Sequence, residues 1–323
     1  MNNIAILGAG RIASFMAKTV NGMNDVNLYG IASRDLSKAE EFAKEFSVDH
    51  AYGSYEEMLQ DPNIDLVYIA TPHSHHYEHA KLCLQNGKNV LCEKAFTANK
   101  KQAEEILSLA KEKGLLITEA IWTRYMPIAQ MLKDVLHSGK IGTPASLIST
   151  FGALVSEKPR LREPSLAGGA LLDLGIYPLT FALIAFGNEI SDIKTSAVLT
   201  DLGVDETHSV ILTYKDGKVA TLCSSMISAM ESQAIIYGTK GYLKVYGMNN
   251  YEKIEVYNSN RELVETIERP EQITGYEYEV TAALGAISEG KLECPEMPHE
   301  ETLRVMEIMD GLRASWGVHY PFD

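Results

Sequence analysis

The chain lacks several features that would commit it to a particular compartment or partner. Its four cysteines, Cys83, Cys92, Cys223 and Cys294, are scattered over 323 residues and none forms a C-x-x-C pair. In a chain of this length they read as reduced thiols and exclude a disulfide framework. There is no run of Lys and Arg, and the formal net charge is −14. A surface of that sign repels nucleic acid and anionic membrane alike, so neither is an expected partner. Met1-Asn2-Asn3 leads straight into an apolar run without a basic region or a cleavable segment, so a cytoplasmic location is expected. The longest apolar stretch, 168–187, has about the length of a membrane span. Asp173 lies inside it, Pro178 interrupts it and no Lys or Arg flanks it closely, which makes a buried helix the expectation. No repeat, low-complexity tract or linker is present.

What is there suits a folded protein that binds a small molecule. Apolar residues make up 46% and charged residues 22%, which excludes a disordered chain. The length suggests two domains. In the first 120 residues strand and helix alternate: strands at Ile4–Leu7, Val26–Ala32, Asp65–Ala70, Asn89–Cys92 and Leu115–Thr118. Between them lie helices opened by Asp35, by the Ser54-Tyr55-Glu56-Glu57 capping box and by Asn99, with Gly87 placed to end another. Strands spaced by helices in this way specify a parallel sheet with right-handed crossovers. After Glu119 the pattern changes. A helix follows Pro127, a strand runs from Ala145 to Phe151, and a helix fills the apolar 169–186 region. From Ile193 to Ile267 strands follow one another through turns at Asp216-Gly217, Lys240-Gly241 and Asn249-Asn250, the mark of an antiparallel or mixed sheet. Helices close the chain after Gly275 and Pro298. The predicted architecture is α/β: a Rossmann, doubly wound parallel sheet over 1–121, then an α+β domain over 122–323 with a large, mostly antiparallel open sheet.

Gly8-Ala9-Gly10-Arg11-Ile12-Ala13 fits G-x-G-x-x-G/A between the first strand and its helix. The first glycine permits the tight turn, the second lets backbone approach a pyrophosphate, and the small third residue allows close helix–strand packing. The position at the head of a βαβ series predicts dinucleotide binding. An NAD enzyme usually carries Asp or Glu at the end of the second strand, for the ribose 2′-hydroxyl. Here Ser33-Arg34 stands there, a hydroxyl and a guanidinium suited to a 2′-phosphate. NADP is therefore expected. NAD stays open through Asp35, which would serve it if the strand ended later.

Four further segments carry a resemblance. They are Ala70-Thr71-Pro72-His73-Ser74-His75-His76, Cys92-Glu93-Lys94, 119–127 with Trp122-Thr123-Arg124, and 168–177 with Asp173-Leu174-Gly175-Ile176-Tyr177. Together with the glycine motif they resemble the glucose–fructose oxidoreductase / inositol dehydrogenase (Gfo/Idh/MocA) family. The Trp-Thr-Arg and Asp-Leu-Gly-Ile-Tyr runs are similar to its dimeric dihydrodiol dehydrogenase branch, which also holds NADP-dependent D-xylose dehydrogenases. The resemblance implies an oxidoreductase with Lys94, Asp173 and Tyr177 as catalytic set. It places Gly8, Gly10, Arg11, Ile12, Ser33, Arg34, Thr71, Pro72, His73, His76, Glu93, Lys94, Trp122 and Arg124 around the cofactor. The family reads Glu-Lys-Pro where this chain has Glu93-Lys94-Ala95, and many relatives carry His where Tyr177 stands.

The chemistry suits that set. Nicotinamide carries the hydride, so the protein has to move the hydroxyl proton and orient the substrate. A lysine ammonium beside a tyrosine lowers the phenol pKa, so that phenolate accepts a proton in alcohol oxidation and phenol donates one in carbonyl reduction. Asp173 and Tyr177 are four apart and share a face if helical. Trp122 and Arg124, and less firmly Phe151, are expected to shape the cleft; Arg160 and Arg162 stand between a substrate contact and a solvated loop. His75 and His79 have i,i+4 spacing, but no carboxylate of ligand spacing accompanies them, and packing near the cofactor is expected in place of a metal. The implied substrate is a small polyhydroxy compound, an aldose or a trans-dihydrodiol. The alternatives are an NAD-dependent sugar or inositol dehydrogenase, or a non-catalytic NADP-binding regulator of the same fold. Val210-Ile211-Leu212 and Ala234-Ile235-Ile236 alternate poorly with polar residues, and a second sheet with helices for one face only predicts a homodimer.

Overall fold

A computed structural model describes all residues, Met1–Asp323. The chain opens with β1 (Asn2–Leu7), α1 (Arg11–Gly22), β2 (Val26–Ala32), α2 (Leu36–Phe46), β3 (His50–Tyr52), α3 (Tyr55–Leu59) and β4 (Leu66–Ile69). It continues with α4 (His73–Gln85), β5 (Asn89–Glu93), α5 (Lys100–Lys113) and β6 (Ile117–Ala120). The six strands pair in parallel in the order β3-β2-β1-β4-β5-β6. Leu66–Ile69 is buried at every residue, as a strand covered on both faces must be. The helix ends follow local chemistry. Asp35 accepts from Ser37 N at 3.1 Å, Ser54 from Glu57 N at 3.1 Å and Asn99 from Gln102 N at 3.0 Å. The capping box is displaced by one residue, because the Glu57 carboxylate reaches Gly53 N, at 3.2 Å, and not Ser54 N. The three-residue edge strand β3 is additional to the strands read from sequence.

Next come α6 (Pro127–His137), β7 (Pro144–Gly152), the one-turn α7 (Pro159–Arg162), and a five-residue π turn, Leu171–Gly175, that runs into α8 (Ile176–Phe186). Then follow β8 (Ile190–Leu199), β9 (Asp205–Tyr214), β10 (Val219–Ser225), β11 (Met230–Gly238), β12 (Gly241–Tyr246), β13 (Lys253–Asn258) and β14 (Leu263–Glu268). These strands form one sheet with β7 in the order β14-β13-β12-β11-β7-β10-β9-β8, antiparallel throughout except for the β7–β10 pair. The helical run Pro164–Phe186 is long and apolar enough to cross a membrane, but 89% of its most apolar window is buried inside the protein. α8 packs on β7 and β10, on the sheet face lined by Leu147, Ala220 and Leu222. The other face is open. Val210 and Leu212 are buried, while Ile211 between them is 40% exposed, and Ile148 two strands away is 46% exposed. The alternation is therefore strict, with isoleucine standing where a solvated face would carry polar residues.

α9 (Glu277–Ser288) and α10 (His299–Trp316) close the chain. The compact units are not two consecutive segments divided at residue 121. Met1–Tyr125 and Gln272–Met306 make the first unit, and Met126–Glu271 with Glu307–Asp323 make the second. The reason is visible at the edge of the first sheet. β6 is its last strand, and the returning segment satisfies it: Ile117 N donates to Leu292 O at 3.2 Å, and His299 Nε2 lies 2.8 Å from Ile117 O.

Candidate active site

In the first unit the candidate cofactor residues gather at the C-terminal ends of β1, β2, β4 and β5, where an open α/β sheet holds its ligands. Gly8 has φ +105°, and a Cβ there would lie 2.9 Å from Thr71 Cγ2, so the turn admits only glycine. Gly10 is the N-cap of α1 and has no side-chain cap; only Ala70 O, 3.8 Å away, stands near where its Cβ would be. The first N–H groups of α1 are thus left for a ligand, and Arg11 and Ile12 begin that turn.

Past β2, Ser33 is buried and its Oγ accepts from Asp35 N at 3.3 Å, while Arg34 is exposed. Asp35 is occupied as the cap of α2, its carboxylate taking both the Ser37 N–H and, at 2.6 Å, the Ser37 hydroxyl. Those bonds hold its pKa below the usual range. Arg34 borders a groove of about 530 Å³ lined also by Tyr55, His79 and Lys81. His79 lies edge-on to Tyr55 at 4.8 Å and stacks with His75 at 5.6 Å; its Nδ1 is 3.0 Å from Thr71 Oγ1. Burial, followed by His75, His76 and Arg34, lowers the His79 pKa to about 4.

His73 and His76 are both buried at the start of α4, just after Pro72. His76 bridges two loops: Nε2 is 2.8 Å from Thr71 O and Nδ1 2.8 Å from Ala95 O. Burial outweighs the pull of both carbonyls and brings its pKa to about 4, so the neutral ring donates to one of them. No three His, Cys, Asp or Glu side chains converge as a metal site would need.

The Lys94–Ala95 peptide bond is cis. Glu93, before it, accepts from the Tyr68 hydroxyl and from Lys94 N at 3.2 Å. Two more carboxyls are buried in this unit, neither of which the sequence reading included. Glu279 on α9 has no hydrogen-bond partner on either oxygen, and burial, then Glu93 and Glu277, hold it well above the usual carboxylate range. Glu119 accepts from Phe96 N at 3.0 Å, and burial raises its pKa to about 7. A raised carboxyl pKa favours the fold fully below the ordinary value of 4.5, and that contribution is lost as pH climbs through 7. Glu119→Gln, unable to ionise, should therefore lose less Tm than the wild type between about pH 5 and pH 8. Equal losses in thermal melts would refute the assignment.

Trp122 stacks on Tyr276 with centroids 4.2 Å apart and planes 14° apart. Arg124, expected to shape the cleft, is engaged elsewhere: its Nε donates to Glu296 O at 2.9 Å and Nη1 to Glu301 Oε2 at 3.0 Å. It ties the turn after β6 to the start of α10.

In the second unit Asp173 lies in the π turn and Tyr177 in the first turn of α8, 8% and 9% exposed. The Tyr177 ring meets the edge of Phe151 at 5.4 Å and 87°. Arg160 forks onto Asp173, Nη1 to Oδ1 at 3.0 Å and Nη2 to Oδ2 at 3.3 Å. Arg162 pairs with the exposed Asp201.

Comparison with known proteins agrees with this layout. Residues 2–120 match the model for an oxidoreductase family with an NAD-binding Rossmann fold, and 129–244 match the GFO/IDH/MocA C-terminal domain. Trans-1,2-dihydrobenzene-1,2-diol dehydrogenase of Mus musculus is 34% identical over 332 residues, covering 98% of each chain. That of Xenopus tropicalis is 34% identical over 324 residues with the same coverage. A 3-ketoreductase from Actinomadura kijaniata, solved with NADP and TDP-benzene, superposes with TM-score 0.86 at 25% identity over 97% of both chains. The aldose-aldose oxidoreductase of Caulobacter crescentus, at 18% identity, shares the fold with TM-score 0.87 over 98% of this chain and 97% of the other.

Proposed function

The chain belongs to the GFO/IDH/MocA oxidoreductase family, and from that premise we propose that it is an NADP-dependent dehydrogenase of vicinal hydroxyl compounds, an aldose or a trans-dihydrodiol. The observation that carries the reading is the presence of Lys94, Asp173 and Tyr177 in a chain aligned over 98% of its length with a dihydrodiol dehydrogenase. The residues fit a dinucleotide: the glycine turn and the open N-terminus of α1 suit a pyrophosphate, and Arg34 beside the groove suits a 2′-phosphate. Bound nicotinamide would supply the hydride acceptor or donor. The chain's own part is proton transfer and orientation. Tyr177 Oη takes the hydroxyl proton on oxidation and returns it on reduction, and Lys94 belongs to the same catalytic set by the family resemblance. Asp173, its carboxylate fixed by Arg160, accepts from a neighbouring substrate hydroxyl. The second unit is the substrate-binding part. A site of this kind leaves buried polar groups unpaired when a hydroxyl is missing, at about 1–3 kcal/mol each. A panel of aldoses, polyols and dihydrodiols with NADP, followed by absorbance, should therefore show a monodeoxy analogue losing about 5- to 150-fold in kcat/KM. Equal values, or preference for long aliphatic alcohols, would refute the substrate class.

The open face of the second sheet supports a homodimer. Ile148, Ile211 and Ile235 occupy one row across β7, β9 and β11, and Tyr237, Tyr242 and Tyr257 the next row, the last two stacked at 4.6 Å. Light scattering should give twice the 35.7 kDa chain mass, and Ile148→Lys should shift the mass toward the monomer. A wild-type monomer would refute it.

A further inference from the structure

The π turn that carries Asp173 is held from behind by two buried residues of β9, Asp205 and His208, which are 0% and 3% exposed. Asp205 Oδ2 accepts two bonds, from Leu171 N at 2.8 Å and from His208 Nδ1 at 2.8 Å. A carboxylate oxygen only accepts here, so Nδ1 of His208 bears the proton. Leu171 is the first residue of the turn. The last is Gly175, and a Cβ on it would lie 2.6 Å from His208 Nε2. At the entry, Gly169 at φ +112° leaves room for Asp205, since a Cβ there would lie 2.3 Å from Oδ1. The pair therefore touches both ends of a five-residue turn with Asp173 at its centre. The turn is closed by a wide bond from Ile176 N to Leu171 O, and Tyr177 follows at once. His208 is itself set by the indole of Trp316, stacked at 5.2 Å and 27°. The Trp316 Nε1 donates to Thr195 Oγ1 at 3.1 Å.

A π turn is less regularly bonded than an α turn, and such insertions occur often at functional sites. One oxygen of Asp205 receives the Leu171 N–H, and an imidazole holds that same oxygen. We propose that Asp205 and His208 are positioning residues for the reaction: they fix the π turn so that Asp173 and Tyr177 are presented together. The inference rests on the roles assigned to those two side chains above. An error of about 1 Å in such a pair is enough to cost about a hundredfold in rate.

The test compares two replacements of His208 that both lose the stacking on Trp316. In His208→Asn the amide nitrogen takes the place of Nδ1 and still donates to Asp205; in His208→Gln the donor sits further out, at the place of Nε2. Two readouts are taken on each full-length variant: amide hydrogen exchange over 171–176, and kcat, KM and pH profile with NADP and the aldose oxidised fastest in the panel. His208→Gln should exchange at least about tenfold faster at Leu171. It should lose at least about tenfold in kcat, with an unchanged KM for NADP and a displaced pH profile. His208→Asn should restore both. Identical behaviour of the two variants, or wild-type exchange in His208→Gln, would overturn the proposal. So would fast exchange in His208→Gln with undiminished kcat, where Tyr177→Phe is inactive. If Tyr177→Phe stays active, the assigned chemistry fails, and the exchange comparison alone decides whether the pair fixes the turn.

Discussion

Tyr177→Phe should lower kcat by about 10²–10⁴-fold while NADPH binds almost as tightly as before. The substitution removes one oxygen and keeps the ring, so the edge contact with Phe151 and the packing of α8 survive. What disappears is the hydroxyl proposed to exchange a proton with the reacting oxygen, an interaction expected to be strongest in the transition state. Lys94→Ala should act in the same direction, as the catalytic role proposed for Lys94 requires. On the shared role proposed for them, the two effects should not add. Steady-state rates on the preferred substrate of the panel, set beside fluorescence titration with NADPH, separate chemistry from binding. Near wild-type turnover in either variant would remove that residue from the mechanism.

Arg34→Ala should weaken NADPH by about 10- to 100-fold and leave NADH nearly unchanged, as expected for loss of a charge-assisted contact of about 1.5–3 kcal/mol. Two features of the structure support this. The Arg34 side chain is exposed beside the groove lined by Tyr55, His79 and Lys81. Asp35, the residue that would favour NAD, has its carboxylate engaged by Ser37 as the cap of α2. On the proposed NADP assignment, Arg34 would read the 2′-phosphate while the Asp35 carboxylate stays engaged by Ser37. Equal wild-type affinities for NADPH and NADH would refute the preference.

The parts legible in sequence are those whose cause is local. The buried run 4–7, the Gly8 turn and the caps at Asp35, Ser54 and Asn99 depend on residues within a few positions of one another, and each stands where expected. β3 escapes because three residues, His50-Ala51-Tyr52, are too few to show a period. The π turn escapes because Leu171–Gly175 lies in an apolar stretch that an α-helix fits equally well. Other features depend on contacts across the chain. Arg124 meets Glu301, 177 positions later, a pairing that no local pattern announces. Arg160 finds Asp173 only once α7 has folded back, and Glu279 is an ordinary helical glutamate until α9 carries it into the first unit beside Glu93.

That return of the chain also has a bearing on biosynthesis. A ribosome delivers β6 early, but the residues that satisfy Ile117, Leu292 O and His299, emerge about 180 positions later, on the order of ten to thirty seconds at ordinary elongation rates. During that interval the nascent Rossmann sheet presents a bare edge, the geometry most open to wrong pairing. Completion waits for α10, a single helix whose residues are divided between the two units at Met306 and Glu307. The last residue of the first unit is Met306 and that of the second is Asp323, so neither unit is complete until nearly the whole chain has emerged.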